Sequence, residues 1–213
     1  MLKSLWQLAL NVVYPPSCCG CGHLGFYLCS RCSYQVDFLL TPIRLPTDSP
    51  LDSVSVAFHY RPPISDLIQV MKYQSVIGVA HLLGELLYFH TNYPDVELVT
   101  SVPLSREKER LRGFNQAREI ARVFASQAQL PYAELLQKQA SGVSSQASLT
   151  DRAARWQNIH ATAFRAIPRV RAPTSVLLVD DVYTTGATLS ACAKVLKAAG
   201  VQRVHALAVA HGS

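Results

Sequence analysis

The sequence lacks several patterns that would assign it to common protein classes. Its apolar runs stay short of the roughly 20 residues that a membrane-spanning helix needs, and no internal repeat is visible. The phosphate-binding pattern G-x-x-x-x-G-K-[ST] does not occur, which argues against a P-loop ATPase. Acidic residues are scarce over a long stretch, because Asp151 is the only one between Leu135 and Val179. What is left is a globular chain that is locally depleted of negative charge.

The positive charge is concentrated in two places. The 213 residues carry a formal net charge of +6, and 49% of them are hydrophobic, enough for one α/β domain with a small appendage. The acid-poor stretch holds Lys138, Arg152, Arg155, Arg165, Arg169 and Arg171. The second cluster holds Arg106, Lys108, Arg110, Arg112, Arg118 and Arg122, diluted by glutamates. Such clusters suit a polyphosphate substrate or a nucleic acid, and an ordinary solvated surface is the alternative.

Five of the six cysteines fall between positions 18 and 32. Two C-x-x-C pairs, Cys18/Cys21 and Cys29/Cys32, are separated by seven residues, so that two tight knuckles present four thiolates. This spacing predicts a structural zinc site. A disulfide, a redox pair and an Fe–S cluster are the alternatives. Cys19 is the surplus thiol and an alternative ligand to Cys18.

Residues 2–13 form an apolar stripe that Gln7 and Asn11 interrupt, and a Pro-Pro pair follows where a signal peptide would have a small-residue cleavage site. We therefore expect a short docking helix and a cytoplasmic protein. Three prolines between positions 41 and 50 indicate a linker. This places a metal-bearing module in residues 1–45 and the main domain in residues 51–213.

Strand and helix patterns alternate through the main domain. Strand patterns cover residues 54–60, 96–102, 177–180 and 204–210. Helical patterns cover residues 64–71, 79–90, 114–124 and 189–199, and Gly200 stands where a helix commonly ends. Strands that alternate with helices predict an α/β fold with a mostly parallel sheet flanked by helices.

Residues 176–188 combine a buried strand, two adjacent acids and a small-residue turn before a helix. The start of a helix attracts phosphate, because its N–H groups are free and its dipole end is positive. Carboxylates instead suit sugar hydroxyls or Mg²⁺. A phosphorylated sugar satisfies both halves of the segment, with Asp180 and Asp181 on the sugar side. The alternative is an ordinary strand–turn–helix junction, although buried adjacent acids are costly without a ligand.

This segment resembles the phosphoribosyl-pyrophosphate (PRPP) signature of type I phosphoribosyltransferases. The resemblance implies that Asp180 and Asp181 hold the ribose hydroxyls and Mg²⁺, which makes them the candidate catalytic residues. It also implies that the turn holds the 5′-phosphate through Thr184, Thr185, Gly186, Ala187 and Thr188. Purine-salvage members carry an Asp where this chain has Thr184, which argues against purine-salvage chemistry.

The order of motifs along the chain carries a narrower resemblance. After the two C-x-x-C pairs come Lys72-Tyr73, Val102-Pro103-Leu104, Arg112-Gly113-Phe114-Asn115-Gln116-Ala117, then Gln146, Leu149, Arg152 and Asn158. This order is similar to the ComF/GntX family of phosphoribosyltransferase-like proteins over essentially the whole chain. The family implies a role in using imported DNA during natural competence, with a helicase-like ATPase as partner. It implies no acceptor for the phosphoribosyl group, so catalytic turnover stays open.

By the same resemblance, the backbone of Pro103–Ser105 is the pyrophosphate loop. Displacing pyrophosphate builds negative charge on the leaving group, so cations are needed around it. The candidates are Arg106, Arg112 and Lys72. Asn115 and Gln116 either orient the substrate or cap a helix. Members of the family usually show Arg-x-Arg-x-Thr-x-x-Gln where this chain has residues 138–146, with fewer basic residues.

A binding module is the alternative to an enzyme. In that case the PRPP pocket acts as a sensor, or the protein is a scaffold for a partner ATPase, and the basic surface holds single-stranded DNA. The aromatic side chains of Phe114, Trp156 and Phe164 would stack on bases, or they belong to the core. Gln146 and Arg152, in a loop pattern over residues 138–155, would close over a ligand.

Overall fold

The computed structural model describes residues 15–139, 163–169 and 171–212. The docking helix predicted at residues 2–13, and the predictions for Gln146, Arg152 and Trp156, lie outside these ranges. The helices are α1 (Ser30–Ser33), α2 (Ile64–Tyr73), α3 (Ile77–His90), α4 (Arg106–Arg112), α5 (Gln116–Gln127) and α6 (Ala187–Ala198). The strands are β1 (Ser53–His59), β2 (Leu98–Ser101), β3 (Leu136–Lys138), β4 (Phe164–Ala166), β5 (Ser175–Tyr183) and β6 (Arg203–His211). Within the described ranges, no helix has the length and apolar character needed to span a bilayer.

Four strands form a parallel sheet in the order β1-β6-β5-β2, while β3 and β4 pair in a separate antiparallel hairpin. The register places Ser101, the last residue of β2, beside Val179 of β5. Because the strands run in the same direction, their carboxyl ends meet at one edge of the sheet, where open α/β sheets bind ligands. The predicted α/β class with a mostly parallel sheet is confirmed.

Two apolar clusters cover the two faces of the sheet. Along β5, Val176 and Leu178 join the cluster that packs under α6, whereas Leu177 and Val179 join the cluster built with α2, α3 and α5. All four are fully buried, and each such side chain contributes about 1.5–3 kcal/mol to folding. Successive side chains of a strand point to opposite faces. The residues that follow Val179 therefore emerge on alternate faces of the sheet.

Short segments pair with both edges of the sheet. Residues 37–39 form two backbone hydrogen bonds with β1, each 2.9 Å long. At the other edge, residues 131–133 form two with Val99 of β2, at 2.9 and 3.1 Å. Covered edges cannot pair with the strand of another chain. The two edge strands of the sheet, β1 and β2, are thus covered where these segments bond to them.

The cysteine-bearing segment packs against the main domain. Tyr27 lies on α3 at Gly78, where a Cβ would come within 2.6 Å of the tyrosine ring. Asp37 forms an ion pair with Arg61 (2.9 Å), and the ring of Phe38 contacts that of Phe58 in β1 with centroids 5.4 Å apart. The predicted division into two domains stays a prediction.

Candidate functional site

The acid pair lies inside β5 and not after its end. The sequence predicts a strand up to residue 180, but β5 continues to Tyr183, because Val182 and Tyr183 still pair with β6. Nζ of Lys72 lies 3.0 Å from Oδ1 of Asp181. Lys72, a candidate cation for pyrophosphate, is thus the ion-pair partner of one of the two acids in this structure.

Asp180 faces the other side of the sheet, toward α6 and the β3–β4 hairpin. Burial raises the pKa of Asp180 to about 7, and the neighbouring charge of Asp181 adds to this effect, while the charges of Lys72 and Lys138 oppose it. The backbone N–H of Asp181 donates a hydrogen bond to Oδ1 of Asp180 (2.9 Å). A carboxyl group in this setting gains from a nearby cation or from hydroxyl donors, so the pair fits Mg²⁺ and ribose.

The turn after β5 has the backbone that a phosphate site requires. Thr184 and Thr185 are exposed, and α6 begins at Ala187 with Gly186 as its N-cap. Gly186 has φ +74°, and a Cβ there would lie 2.7 Å from Oη of the buried Tyr183. Only glycine fits this position without strain. The free N–H groups at the start of this 12-residue helix therefore follow the end of β5 after a short turn.

The proposed pyrophosphate loop follows β2 at the same edge of the sheet. The N–H of Val102 donates to the carbonyl of Val179 (2.9 Å), which extends the β2–β5 pairing to the residue before the loop. Ser105 ends the loop and caps α4, because its Oγ accepts a hydrogen bond from Lys108 N (3.3 Å). The loop and the acid pair therefore start from neighbouring positions on two paired strands.

A cleft of about 890 Å³ opens between this loop and the β3–β4 hairpin. Ser105 and Arg106 line one wall, and Lys138 and Arg165 line the other. The sequence did not single out these two hairpin residues for the site: both lie in the acid-poor stretch, and Lys138 also begins the segment compared with the family's basic run. The ammonium group of Lys138 lies 5.5 Å from the ring centroid of Phe164, and burial lowers its pKa.

Several predicted site residues do not line this cleft within the described ranges. Arg112 instead donates a hydrogen bond to Oε1 of Gln116 (3.0 Å). Asn115, by contrast, lines the cleft and also caps α5, as one of its two interpretations stated. The acid pair and the threonine turn lie beside the cleft, at the end of β5. Their assignment to PRPP, like that of the loop residues, stays a prediction.

The four predicted ligand cysteines come together. The sulfur atoms of Cys18, Cys21, Cys29 and Cys32 all lie within 4.8 Å of one another, and Cys21 and Cys29 are 3.6 Å apart. Tetrahedral zinc with bonds of about 2.3 Å separates its sulfur ligands by about 3.8 Å. The donor set and its spacing therefore fit a metal ion of this kind.

Cys19 stays outside this cluster and packs against the core of the main domain. Burial raises the pKa of Cys19 to about 11, and the nearby charges of Cys18 and Asp66 add to the shift. For Cys18, burial opposes ionisation, but backbone N–H groups directed at its sulfur outweigh burial and lower its pKa to about 6. Cys18 is thus the better thiolate ligand of the two.

The arginines of the two basic clusters differ in their surroundings. Arg118 forms ion pairs with Glu109 and with Glu134 (3.1 Å), and Arg122 lies 3.8 Å from Glu119. Arg169 and Arg171 line a separate groove of about 310 Å³ near Glu97, at the amino end of the sheet. Of the aromatic candidates for base stacking, Phe164 is buried in the cluster under α6, and Phe114 is partly buried against the cluster on the other face of the sheet.

Comparisons with known proteins bear on the family resemblance. The family model "Phosphoribosyl transferase domain" matches residues 112–213. Competence protein F of Haemophilus influenzae is 27% identical over 207 residues, which cover 92% of this chain and 90% of that protein. The competence protein ComFC of Streptococcus pneumoniae is 32% identical over 112 residues, 53% of this chain and 46% of that protein.

A solved structure of the glutamine PRPP amidotransferase from B. subtilis, complexed with ADP and GMP, has a TM-score of 0.42. It is 23% identical and covers 60% of this chain and 25% of that one. The family match and the near full-length similarity to competence protein F agree with the motif order found in the sequence. The comparisons therefore confirm the resemblance to the ComF/GntX family: residues 112–213 match a phosphoribosyl transferase domain, and the chain is similar to competence protein F over nearly its whole length.

Proposed function

We propose that this protein binds PRPP together with Mg²⁺ at the carboxyl ends of β2 and β5. One observation carries the proposal: Asp180 and Asp181 lie near the carboxyl end of β5, and the N-cap of the next helix, Gly186, follows Asp181 by five positions and is held at φ +74°. The sugar-binding and phosphate-binding halves of the site are thus adjacent. The family match over residues 112–213 supports this interpretation.

Each part of the site takes one part of the ligand. The free N–H groups and hydroxyls of Thr184–Thr188 bind the 5′-phosphate. Asp180 and Asp181 accept hydrogen bonds from the ribose hydroxyls and would hold Mg²⁺, which neutralises charge on the pyrophosphate when bound. Arg106, Lys138 and Arg165 on the cleft walls attract the pyrophosphate, and Arg118, which also lines the cleft, offsets part of the negative charge of Glu109 and Glu134.

We propose a biological role in natural competence, that is, in the uptake of DNA and its use in the cytoplasm. Its support is that the similar proteins of Haemophilus influenzae and Streptococcus pneumoniae are named competence proteins. In this role the protein is either a phosphoribosyltransferase for an acceptor that is not yet identified, or a PRPP-sensing module that binds single-stranded DNA or a helicase-like ATPase. Release of pyrophosphate from PRPP in the presence of an acceptor distinguishes the enzyme from the module.

We also propose that the four-cysteine cluster holds a structural zinc ion. The support is the spacing of its sulfur atoms and the thiolate character of Cys18. All four coordination positions of a tetrahedral ion are filled by these ligands, so the site leaves no position for a substrate. Zinc would then fix the two knuckles that pack on α3.

The PRPP assignment is tested by thermal unfolding with and without PRPP and Mg²⁺. A ligand at a hundred times its Kd stabilises the native state by about 2.7 kcal/mol, which raises Tm by roughly 5–10 °C for a domain of this size. The double variant Asp180→Asn/Asp181→Asn should lose this shift. Asp52→Asn is the matched control, because Asp52 is an ion-paired acid at the amino end of β1. A full shift in the double variant would contradict the proposal.

A further inference from the structure

The side-chain amide of Asn115 makes two hydrogen bonds, one as an acceptor and one as a donor. It is only 7% exposed and precedes α5. Its Oδ1 accepts from the N–H of Arg118 (3.4 Å), which caps the helix. Its Nδ2 donates to the carbonyl of Val102 (3.1 Å). Only the first of these bonds is needed to start a helix.

The second bond fixes the residue from which the pyrophosphate loop departs. The N–H of Val102 is held by Val179 of β5, and its carbonyl is held by Asn115. The next residue is Pro103, which has no N–H to contribute. The direction in which the loop leaves the sheet is therefore set at Val102, by one strand and by one side chain.

The neighbours of Asn115 hold it in place and do not reach the cleft. Gln116 is 2% exposed, and its Oε1 accepts from Arg112 Nη1. This bond spans Gly113, which has φ +78° and ends α4. Arg112 and Gln116 are thus bonded to each other across Gly113. The sequence had suggested Arg112 as a cation for the pyrophosphate.

We propose that Asn115 is a positioning residue, which holds the Val102–Ser105 loop in the form that receives the pyrophosphate of PRPP. This inference rests on the proposed function. Asn115 lines the cleft, but its amide oxygen and nitrogen are bonded to Arg118 and Val102, so it acts through the carbonyl of Val102. Its loss should weaken the interactions with pyrophosphate and leave those with the 5′-phosphate turn, because that turn belongs to β5 and α6.

The experiment measures the Kd of two ligands by calorimetry, both with Mg²⁺: PRPP, and ribose 5-phosphate, which lacks the pyrophosphate. Asn115→Asp keeps an oxygen for the helix cap and loses the N–H donor. We expect its Kd for PRPP to rise at least tenfold and its Kd for ribose 5-phosphate to change less than twofold. Asn115→Ser, which also keeps a capping oxygen, should behave in the same way if the aspartate variant folds poorly.

Ser53→Ala is the matched control, because it removes a partly buried hydrogen bond to Nδ1 of His205 (2.8 Å) at the amino end of the sheet. It should change neither Kd. An unchanged Kd for PRPP in both Asn115 variants, or an equal loss for both ligands, would overturn the positioning role while the proposed function stands. Failure of the wild-type protein to bind PRPP would overturn both proposals.

Discussion

The two acids of β5 are neighbours in the chain but differ in their surroundings. Asp181 has Lys72 at 3.0 Å. Asp180 has no such partner among the described residues and lies on the face of Cys192, where burial raises its pKa to about 7. The folded protein therefore holds a proton on Asp180 more tightly than the unfolded chain does. A bound cation would favour loss of this proton. Without the cation, the cost of burying the ionised Asp180 carboxylate lowers the stability of the folded protein.

The pH dependence of stability should reveal this acid. Because the pKa of Asp180 is raised on folding, the free energy of unfolding falls as pH rises from about 4 to about 7. Asp180→Asn removes this loss, so without ligand it should exceed the wild type by about 1–2 kcal/mol at pH 8, after allowance for solvent screening, and match it at pH 4. Urea unfolding across this range measures the difference. A constant difference at all pH values would show that burial does not hold the proton.

At the scale of elements, the sequence predicted those parts of the site that are contiguous in the chain. The strand, the acids, the turn and α6 follow one another over residues 175–198, so the pattern alone placed them. It missed the β3–β4 hairpin, because each strand has three residues and the strands are 25 positions apart. It also missed α4, which has no buried residue and thus no apolar stripe. For the first reason, Lys138 and Arg165 were not proposed as lining of the cleft, and for the second, no helix was predicted around Arg112, whose assignment to pyrophosphate stays a prediction.

The two cysteine knuckles are joined by hydrogen bonds, among them Cys19 N to Tyr27 O (2.9 Å), and the proposed metal would join them further. Cys21→Ser and Cys32→Ser should each lose zinc and expose the region around Tyr27 to protease, because removing one thiolate opens the tetrahedral shell. Cys19→Ser should keep about one zinc per chain, since the Cys19 thiol packs on the domain core and its raised pKa keeps it protonated. Mass spectrometry under native conditions counts the metal. Loss of zinc from Cys19→Ser comparable to that from Cys32→Ser would reverse the ligand assignment.

For the whole molecule, the distribution of charge decides where a polyanion could bind. Sequence analysis grouped Arg165 with Arg169 and Arg171, but the structure separates them: Arg165 lines the cleft at the loop, and the other two line the groove beside Glu97. A test of DNA binding must therefore leave Arg165 unchanged. Arg122 is a suitable comparison, since Glu119 already partners it.

We expect weak, sequence-independent binding of single-stranded DNA through the amino-end groove. Each phosphate contact contributes about 0.7 to the slope of log K against log salt. Arg169→Gln/Arg171→Gln should therefore reduce the slope by up to about 1.4 and leave the thermal shift with PRPP unchanged, while Arg122→Gln changes neither. Fluorescence anisotropy with a labelled oligonucleotide measures the slope. Undetectable binding at low salt, or an unaltered slope in the double variant, would remove the DNA interpretation.

The order of strands in the sheet also bears on how the chain reaches its fold. β6 lies between β1 and β5, although it is the last of the strands in sequence. Ser53 of β1 pairs with His205 of β6, a contact between residues 152 positions apart. During synthesis, β1 cannot pair with β6 until β6 has left the ribosome, and until then the cysteine-bearing segment is the part of the chain available to β1. Such distant pairing slows folding, and the backbone bonds from residues 37–39 would then shield one edge of β1 during the delay.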